Sequence, residues 1–240
     1  MPADPTRGQA ETVPDNLPEV TGPLADVGCG RGALAWELAA AGRTVLAVDP
    51  RPGALAGAAT TAPGAGAVHP VAAGGEALPL ADAGLTAVIY ANALHHVPPA
   101  WQPAALDEAA RVIVPAGRLI VVEPLPEGPL FEVVRLVDDE TEVRRAAGRA
   151  LDAAAGRRPP WRMVRDTVFT APMTQPSAAA FREHLSTVDP ARGPAIAART
   201  DELDAAFHSA ARHTAEGYVL DQPSRLVVLE RTAGRAPARS

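Results

Sequence analysis

Residues 26–32 read D-V-G-C-G-R-G, and a second acid, Asp49, closes the next apolar run, Val45 to Val48. Gly28, Gly30 and Gly32 lie between a strand and a helix, where bare backbone can turn tightly and let a ligand approach. A helix N-terminus aims its free N–H groups at anions and carboxylates, and an acid one strand away is placed to hold a ribose. The pair points to an adenosine cofactor. The same letters also fit the degenerate dinucleotide fingerprint G-x-G-x-x-A through Gly28, Gly30 and Ala33, which keeps an NAD-dependent oxidoreductase open, and a tight turn without ligand is a third reading.

Outward from this loop, strand-like runs at Leu24 to Val27, Thr44 to Val48, Val68 to Ala72, Ala87 to Ala91 and Arg118 to Glu123 alternate with helical stretches such as Ala33 to Ala41. That alternation predicts an α/β fold with a mostly parallel, doubly wound sheet and helices on both faces. Gly42 is placed to terminate the first helix in a left-handed conformation. After Glu123, Pro124, Pro126 and Pro129 break the pattern, and Leu130 to Ala155 read as a helical insertion of one or two amphipathic helices. Trp161 to Phe169 reads as a strand, Ser177 as the N-cap of a helix to Leu185, and Pro194 to Ala215 as helical. Tyr218 to Arg231 reads as strands around a Gln222-Pro223-Ser224 turn.

Residues 1–18 are expected to be a flexible arm, 19–231 a single domain with its cofactor half at 19–123 and an acceptor side at 124–231, and 232–240 a disordered tail. The N-terminus lacks a basic stretch before an apolar core, and no apolar run approaches the roughly eighteen residues of a membrane span, so a cytoplasmic location and no membrane partner are expected. All 22 basic residues are arginine. A phosphate-loop lysine and a lysine Schiff base are thereby excluded. The net charge of −6 argues against a nucleic-acid partner. The lone cysteine, Cys29, can make neither an internal disulfide nor a thiolate zinc site, and no histidine pair has metal-ligand spacing with a carboxylate, so no metal is expected.

Five ordered segments carry a closer likeness. D-V-G-C-G-R-G at Asp26, the acid Asp49, G-G-E-A-L-P-L from Gly74, A-N-A-L-H-H-V from Ala91 and R-V-I-V-P-A-G-R-L-I from Arg111 resemble the class I S-adenosylmethionine-dependent methyltransferases, which have a seven-stranded Rossmann-like sheet. The likeness covers about Leu24 to Glu123 and is nearest to the small-molecule branch. It implies S-adenosylmethionine as cofactor and methyl transfer to a small organic acceptor; a cofactor-binding module without catalysis is the alternative. It also implies that Gly28, Cys29 and Gly30 admit the cofactor, that Asp26 reaches the methionine amino group, and that Asp49, followed by Pro50, takes the ribose hydroxyls. Gly75 and Glu76 pass the adenine edge, and Asn92 meets the methionine end. Gly74 departs from the family, which often has an acid there. The oligomeric state is left open.

A sulfonium is an activated methyl donor, so alignment carries most of the catalysis and a base is needed only for an acceptor that must lose a proton. His95 and His96, just after the fourth strand, are the candidate catalytic residues; packing at the rim is the competing reading. Cys29 fits a small place in the turn, although a helix N-terminus lowers a thiol's pKa. His69 reads as a structural histidine, and His184, His208 and His213 as helical ones. Phe131, Trp161, Phe169, Phe181, Phe207 and Tyr218 either line an acceptor pocket or form the core under the inserted helices. Glu123 faces the acceptor or is a solvated rim acid.

Overall fold

The computed structural model describes residues 12–51, 53, 66–157 and 160–233. In chain order its elements are β1 (Leu24–Val27), α1 (Ala33–Ala40), β2 (Thr44–Asp49), β3 (Ala67–Ala72), β4 (Leu85–Ala91), α2 (Gln102–Val112), β5 (Ile113–Pro124), α3 (Pro129–Val134), α4 (Thr141–Gly156), β6 (Trp161–Gln175), α5 (Ala178–Val188), α6 (Gly193–Ala198), α7 (Thr200–Ala210), β7 (Arg212–Thr214) and β8 (Gly217–Arg231). The sheet runs β3-β2-β1-β4-β5-β8-β6, and β7 pairs antiparallel with β8. The pairs among the first five strands are parallel, with Asp26 opposite Ala47 on one side and Ile89 on the other. The α/β expectation therefore holds, with eight strands among the described residues where the sequence predicts seven.

The extra strand has a local cause. The sequence predicts helix to Ala215, but α7 stops at Ala210 and the chain turns back on itself at Gly217, whose φ of 126° disfavours residues with a side chain. Thr214 stabilises the turn by accepting the Glu216 N–H and donating to the Gly217 carbonyl. His213 thus sits on a strand, not a helix. The expected Gln222-Pro223-Ser224 turn is also absent: β8 runs unbroken through Pro223, whose carbonyl accepts the Leu125 N–H, while the Gln222 amide bonds the Leu125 and Glu127 carbonyls. The sixth strand is longer than expected, ending at Gln175 rather than Phe169.

The described residues group into two compact units, one of 12–123, 146–167 and 225–233, the other of 124–145 and 168–224. In the first, every residue of β1 is buried, and β4 is buried along all but its last residue, as expected of parallel strands covered on both faces. Their core includes Val27, Val88, Tyr90, Leu106, Val121 and Trp161. In the second unit Val133, Phe181, Leu185, Leu203, Phe207 and Leu220 form a separate core. Phe131, Trp161, Phe169, Phe181 and Phe207 are all buried, which favours the core reading of these rings. Ser177 caps α5 as expected, accepting the Ala180 N–H. Of the expected arm, Thr12, Val13 and Asn16 are buried, and the Arg118 guanidinium bonds the carbonyls of Asn16 and Leu17. Residues 1–11 and 234–240 lie outside the described residues. No helix among the described residues is long and apolar enough to cross a membrane.

One buried cation holds the loop between β3 and β4 in place. Arg111 of α2 bonds the Leu78 and Leu80 carbonyls and the carboxylates of Glu108 and Asp82, and Glu108 in turn accepts the Leu78 N–H. Removing one member of a buried ionic network leaves the others unpaired and costs about 3 kcal/mol. Arg111→Met is accordingly expected to lower stability by about that amount in urea titration and to increase hydrogen exchange at Leu78 and Leu80.

Candidate functional site

β1 ends where sheet order reverses, since β2 continues on one side and β4 on the other. Open α/β sheets bind ligands in the crevice at such a point. The turn leaving β1 is held from both sides. The Gly28 and Cys29 N–H groups both donate to the Val48 carbonyl of β2, at 2.8 and 3.1 Å. On the β4 side, a Cβ at Gly28 would lie 2.5 Å from the Ala93 Cβ. Gly28 and Gly30 have φ of 74° and 54°, and a Cβ at Gly30 would meet no described atom within 4 Å. One glycine is thus required by packing, while the other faces open space.

Two carboxylates flank this turn in different states. Asp49 is 2% exposed, and its oxygens accept the Gly30 N–H at 3.0 Å, the Arg51 N–H at 2.9 Å and the Arg51 Nε at 3.2 Å. Burial alone raises its pKa, but the Arg51 side chain and the two backbone donors outweigh burial and hold Asp49 below the usual carboxylate range. Asp26 is equally buried. It accepts the Ala35 N–H, capping α1 where Gly32 has no side chain to do so, yet its Oδ2 has no hydrogen-bond partner among the described residues. Burial, with a smaller contribution from the Asp49 charge, raises Asp26 from 3.8 to about 7. A buried acceptor left open at a glycine cradle suits a cationic group.

The remaining expected residues fall around the same strand ends. Gly75 is buried, and a Cβ there would lie 2.7 Å from the Tyr90 hydroxyl and 3.2 Å from the Val27 side chain. Glu76 is half-buried, its carboxylate lying against Gly74 in the space that a side chain there would need. Asn92 adopts φ 54°, a left-handed conformation that asparagine tolerates better than most residues, and its N–H donates to the Val122 carbonyl. Pro50 is exposed beside Asp49. His95 is buried and His96 exposed, with ring centroids 4.1 Å apart. Glu123 is no solvated rim acid: it is 8% exposed and lies 2.5 Å from the His95 Nδ1. His69 is exposed on β3 rather than satisfied in a core.

Cys29 behaves differently from the helix-terminus expectation. Burial and the charges of Asp26 and Asp49 push its thiol up to about 12, so the thiolate required of a nucleophile is suppressed. Three partnerships escape the sequence reading. Arg51 had a legible signal, because an aspartate two residues before a backbone N–H forms a common turn. The Glu123 and Arg111 partnerships had none, as they join residues 28 to 33 positions apart.

Comparison with known proteins agrees with this geometry. Residues 25–121 match the methyltransferase domain family. An uncharacterised methyltransferase of Mycobacterium tuberculosis is 39% identical over 106 residues, covering 44% of this chain. The match spans 41% of that relative's length, about two fifths. Among solved structures, the cyclase SpnF superposes with TM-score 0.62 at 16% identity, covering 94% of this chain and 81% of its own. Geranyl diphosphate C-methyltransferase from Streptomyces coelicolor, solved with geranyl diphosphate and S-adenosyl-L-homocysteine, gives TM-score 0.54 at 15% identity, covering 93% of this chain and 78% of its own. At those identities the likeness establishes the fold.

The Asp26 geometry has a consequence for pH. Its folded pKa, about 7, lies above the unfolded 3.8, so the group costs no stability below the lower value, and stability is lost as pH rises from 3.8 to about 7. Asp26→Asn is expected to remove this loss. Urea midpoints of variant and wild type should diverge in favour of the variant from pH 4 to pH 7 and run parallel above pH 8; a difference independent of pH would contradict the assignment.

Proposed function

We propose that this chain, whose residues 25–121 match the methyltransferase domain family, is a class I S-adenosylmethionine-dependent methyltransferase that binds S-adenosylmethionine at the carboxyl ends of β1, β2 and β4 and transfers its methyl group to a small organic acceptor. The observation that carries the reading is the turn of Gly28 to Gly30 with an open carboxylate oxygen on one flank and a charged carboxylate on the other. A charged amino group at the cofactor's methionine end satisfies Asp26 Oδ2, which no described residue does. Asp49 accepts the ribose hydroxyls on the edge it now offers to Arg51. Gly28 and Gly30 let the nucleoside approach the backbone, Gly75 and Glu76 flank the adenine, and the left-handed Asn92 faces the methionine end.

The bound sulfonium supplies an activated methyl group. The residues named above therefore act by fixing its direction and excluding water, and alignment of this kind is worth roughly 7 to 11 kcal/mol. The Streptomyces enzyme pairs S-adenosylhomocysteine with a small acceptor on the same fold, which supports a small-molecule acceptor here. The fold is shared equally with a protein named as a cyclase, and that favours a second reading in which the cofactor is bound without methyl transfer.

Titration calorimetry tests the first reading. S-adenosylmethionine and S-adenosylhomocysteine are expected to bind and NADH to give no heat, whereas silence from both sulfur compounds would sink the proposal. Loss of a hydrogen bond to a charged group costs about 1.5–3 kcal/mol, so Asp49→Ala should weaken S-adenosylhomocysteine binding roughly 10- to 100-fold. Transfer of labelled methyl to any of a broad acceptor panel separates the enzyme from the second reading.

A further inference from the structure

Asp49 closes β2 with both oxygens of its carboxylate filled. Oδ1 accepts the Arg51 N–H at 2.9 Å and the Arg51 Nε at 3.2 Å, and Oδ2 accepts the Gly30 N–H at 3.0 Å and the Arg51 Nη2 at 3.5 Å. An ionised carboxylate offers about four lone-pair places, so these donors saturate it. They are of two kinds. The backbone N–H groups of Gly30 and Arg51 are fixed parts of the turn after β1 and of the chain leaving β2. The other two donors belong to one side chain, whose guanidinium meets the two oxygens as a fork.

The two partners differ in exposure. The Asp49 side chain is 2% exposed and the Arg51 side chain 74% exposed. The guanidinium loses little on leaving such a pair, because water solvates it in exchange. The carboxylate loses more, since a buried charge short of donors is costly, so N–H or O–H groups must hold that edge. In this structure the Arg51 side chain does so. Its two N–H groups, presented together to one carboxylate, match the donor pattern of a vicinal diol, which brings two O–H groups to the same edge.

We propose that the Arg51 side chain is a displaceable stand-in for the ribose diol: an adenosine ligand exchanges two guanidinium N–H groups for two ribose O–H groups on Asp49, and Arg51 turns out into solvent. The proposal rests on the cofactor-binding reading above. The Gly30 and Arg51 backbone donors stay in place throughout, so the exchange is two for two and the buried acid keeps its full set of hydrogen bonds. Every such ligand must nevertheless part an ion pair before it binds. Arg51 therefore weakens binding through the ribose, which the methyl donor and its demethylated product share. Salt, which screens a pair with one exposed partner, relieves that competition.

Calorimetric titration of the full chain with S-adenosylhomocysteine and with methylthioadenosine tests this in wild type and Arg51→Met, which keeps an apolar stem and removes the donors and the charge. Methylthioadenosine carries the ribose but no charge, so a salt dependence in its binding belongs to the protein's own ion pair. An exposed pair is worth at most about a fivefold factor, so Arg51→Met should bind both compounds roughly two- to fivefold more tightly at low ionic strength. Raising sodium chloride to about 0.5 M should strengthen wild-type binding of methylthioadenosine until most of that difference is gone, and should leave the variant unmoved. Equal or weaker binding by Arg51→Met, a wild-type affinity for methylthioadenosine that holds steady or falls as salt rises, or the same rise in both proteins would overturn the inference. The wild-type salt series stands without the variant. Failure of both compounds to bind either protein would instead remove the cofactor reading, and the inference with it.

Discussion

Position 28 has no room for a side chain, and the site follows from that constraint. The Ala93 methyl occupies the place a Cβ would need, while the Gly28 and Cys29 N–H groups are drawn to the Val48 carbonyl. The end of β1 is thereby gripped between its two neighbours at the point where sheet order reverses, and the backbone turns sharply into α1 with a positive φ at Gly28, Gly30 and Gly32. A larger residue at 28 would push the turns after β1 and β4 apart. Glycine here shapes the crevice as much as it admits a ligand.

On that frame, two aspartates of similar burial are driven to different states by their partners. Asp49 collects donors from Gly30 and Arg51 and stays ionised; among the described residues Asp26 accepts the Ala35 N–H and keeps one oxygen without a partner, and it sits near neutrality's midpoint. Pairs of acids pushed apart in pKa are common where a site must treat two parts of one ligand differently. Here a neutral hydroxyl pair and a cationic amine are the two parts that the proposed cofactor would present. Burial, reinforced by the charges of the same carboxylates, keeps Cys29 protonated, which leaves the cysteine a small residue in a crowded turn.

Legibility followed the range of the interactions. Buried parallel strands are short apolar runs, so β1, β2 and β4 were placed from the sequence within a residue or two at most ends, and Gly42 was identified as the helix terminator it is, with φ 85°. The glycine turn and Asp49 were equally readable because their spacing is local to one strand–helix–strand unit. Beyond β5 the reading lost accuracy where tertiary contacts override local signals: Pro223 suggests a turn, yet the Leu125 and Gln222 hydrogen bonds keep it in a strand. Glu123 was seen as an isolated acid because its three donors lie 28 to 30 residues upstream. Arg111 carries no local sign of its five hydrogen bonds, which fix the loop that carries Gly75 and Glu76. His69, expected to be satisfied within a strand, faces outward because β3 is the terminal strand of the sheet.

The central claim is that the turn after β1 grips the amino-acid and nucleoside ends of one sulfur-bearing cofactor. A crystal structure of the protein grown with S-adenosylhomocysteine measures this directly. The account predicts the ribose hydroxyls on Asp49, the amino group within hydrogen-bond reach of Asp26 Oδ2, and the backbone of Gly28 to Gly30 against the ligand. Density for the compound away from this turn, or in it with the amino group turned from Asp26 and the ribose from Asp49, would contradict it.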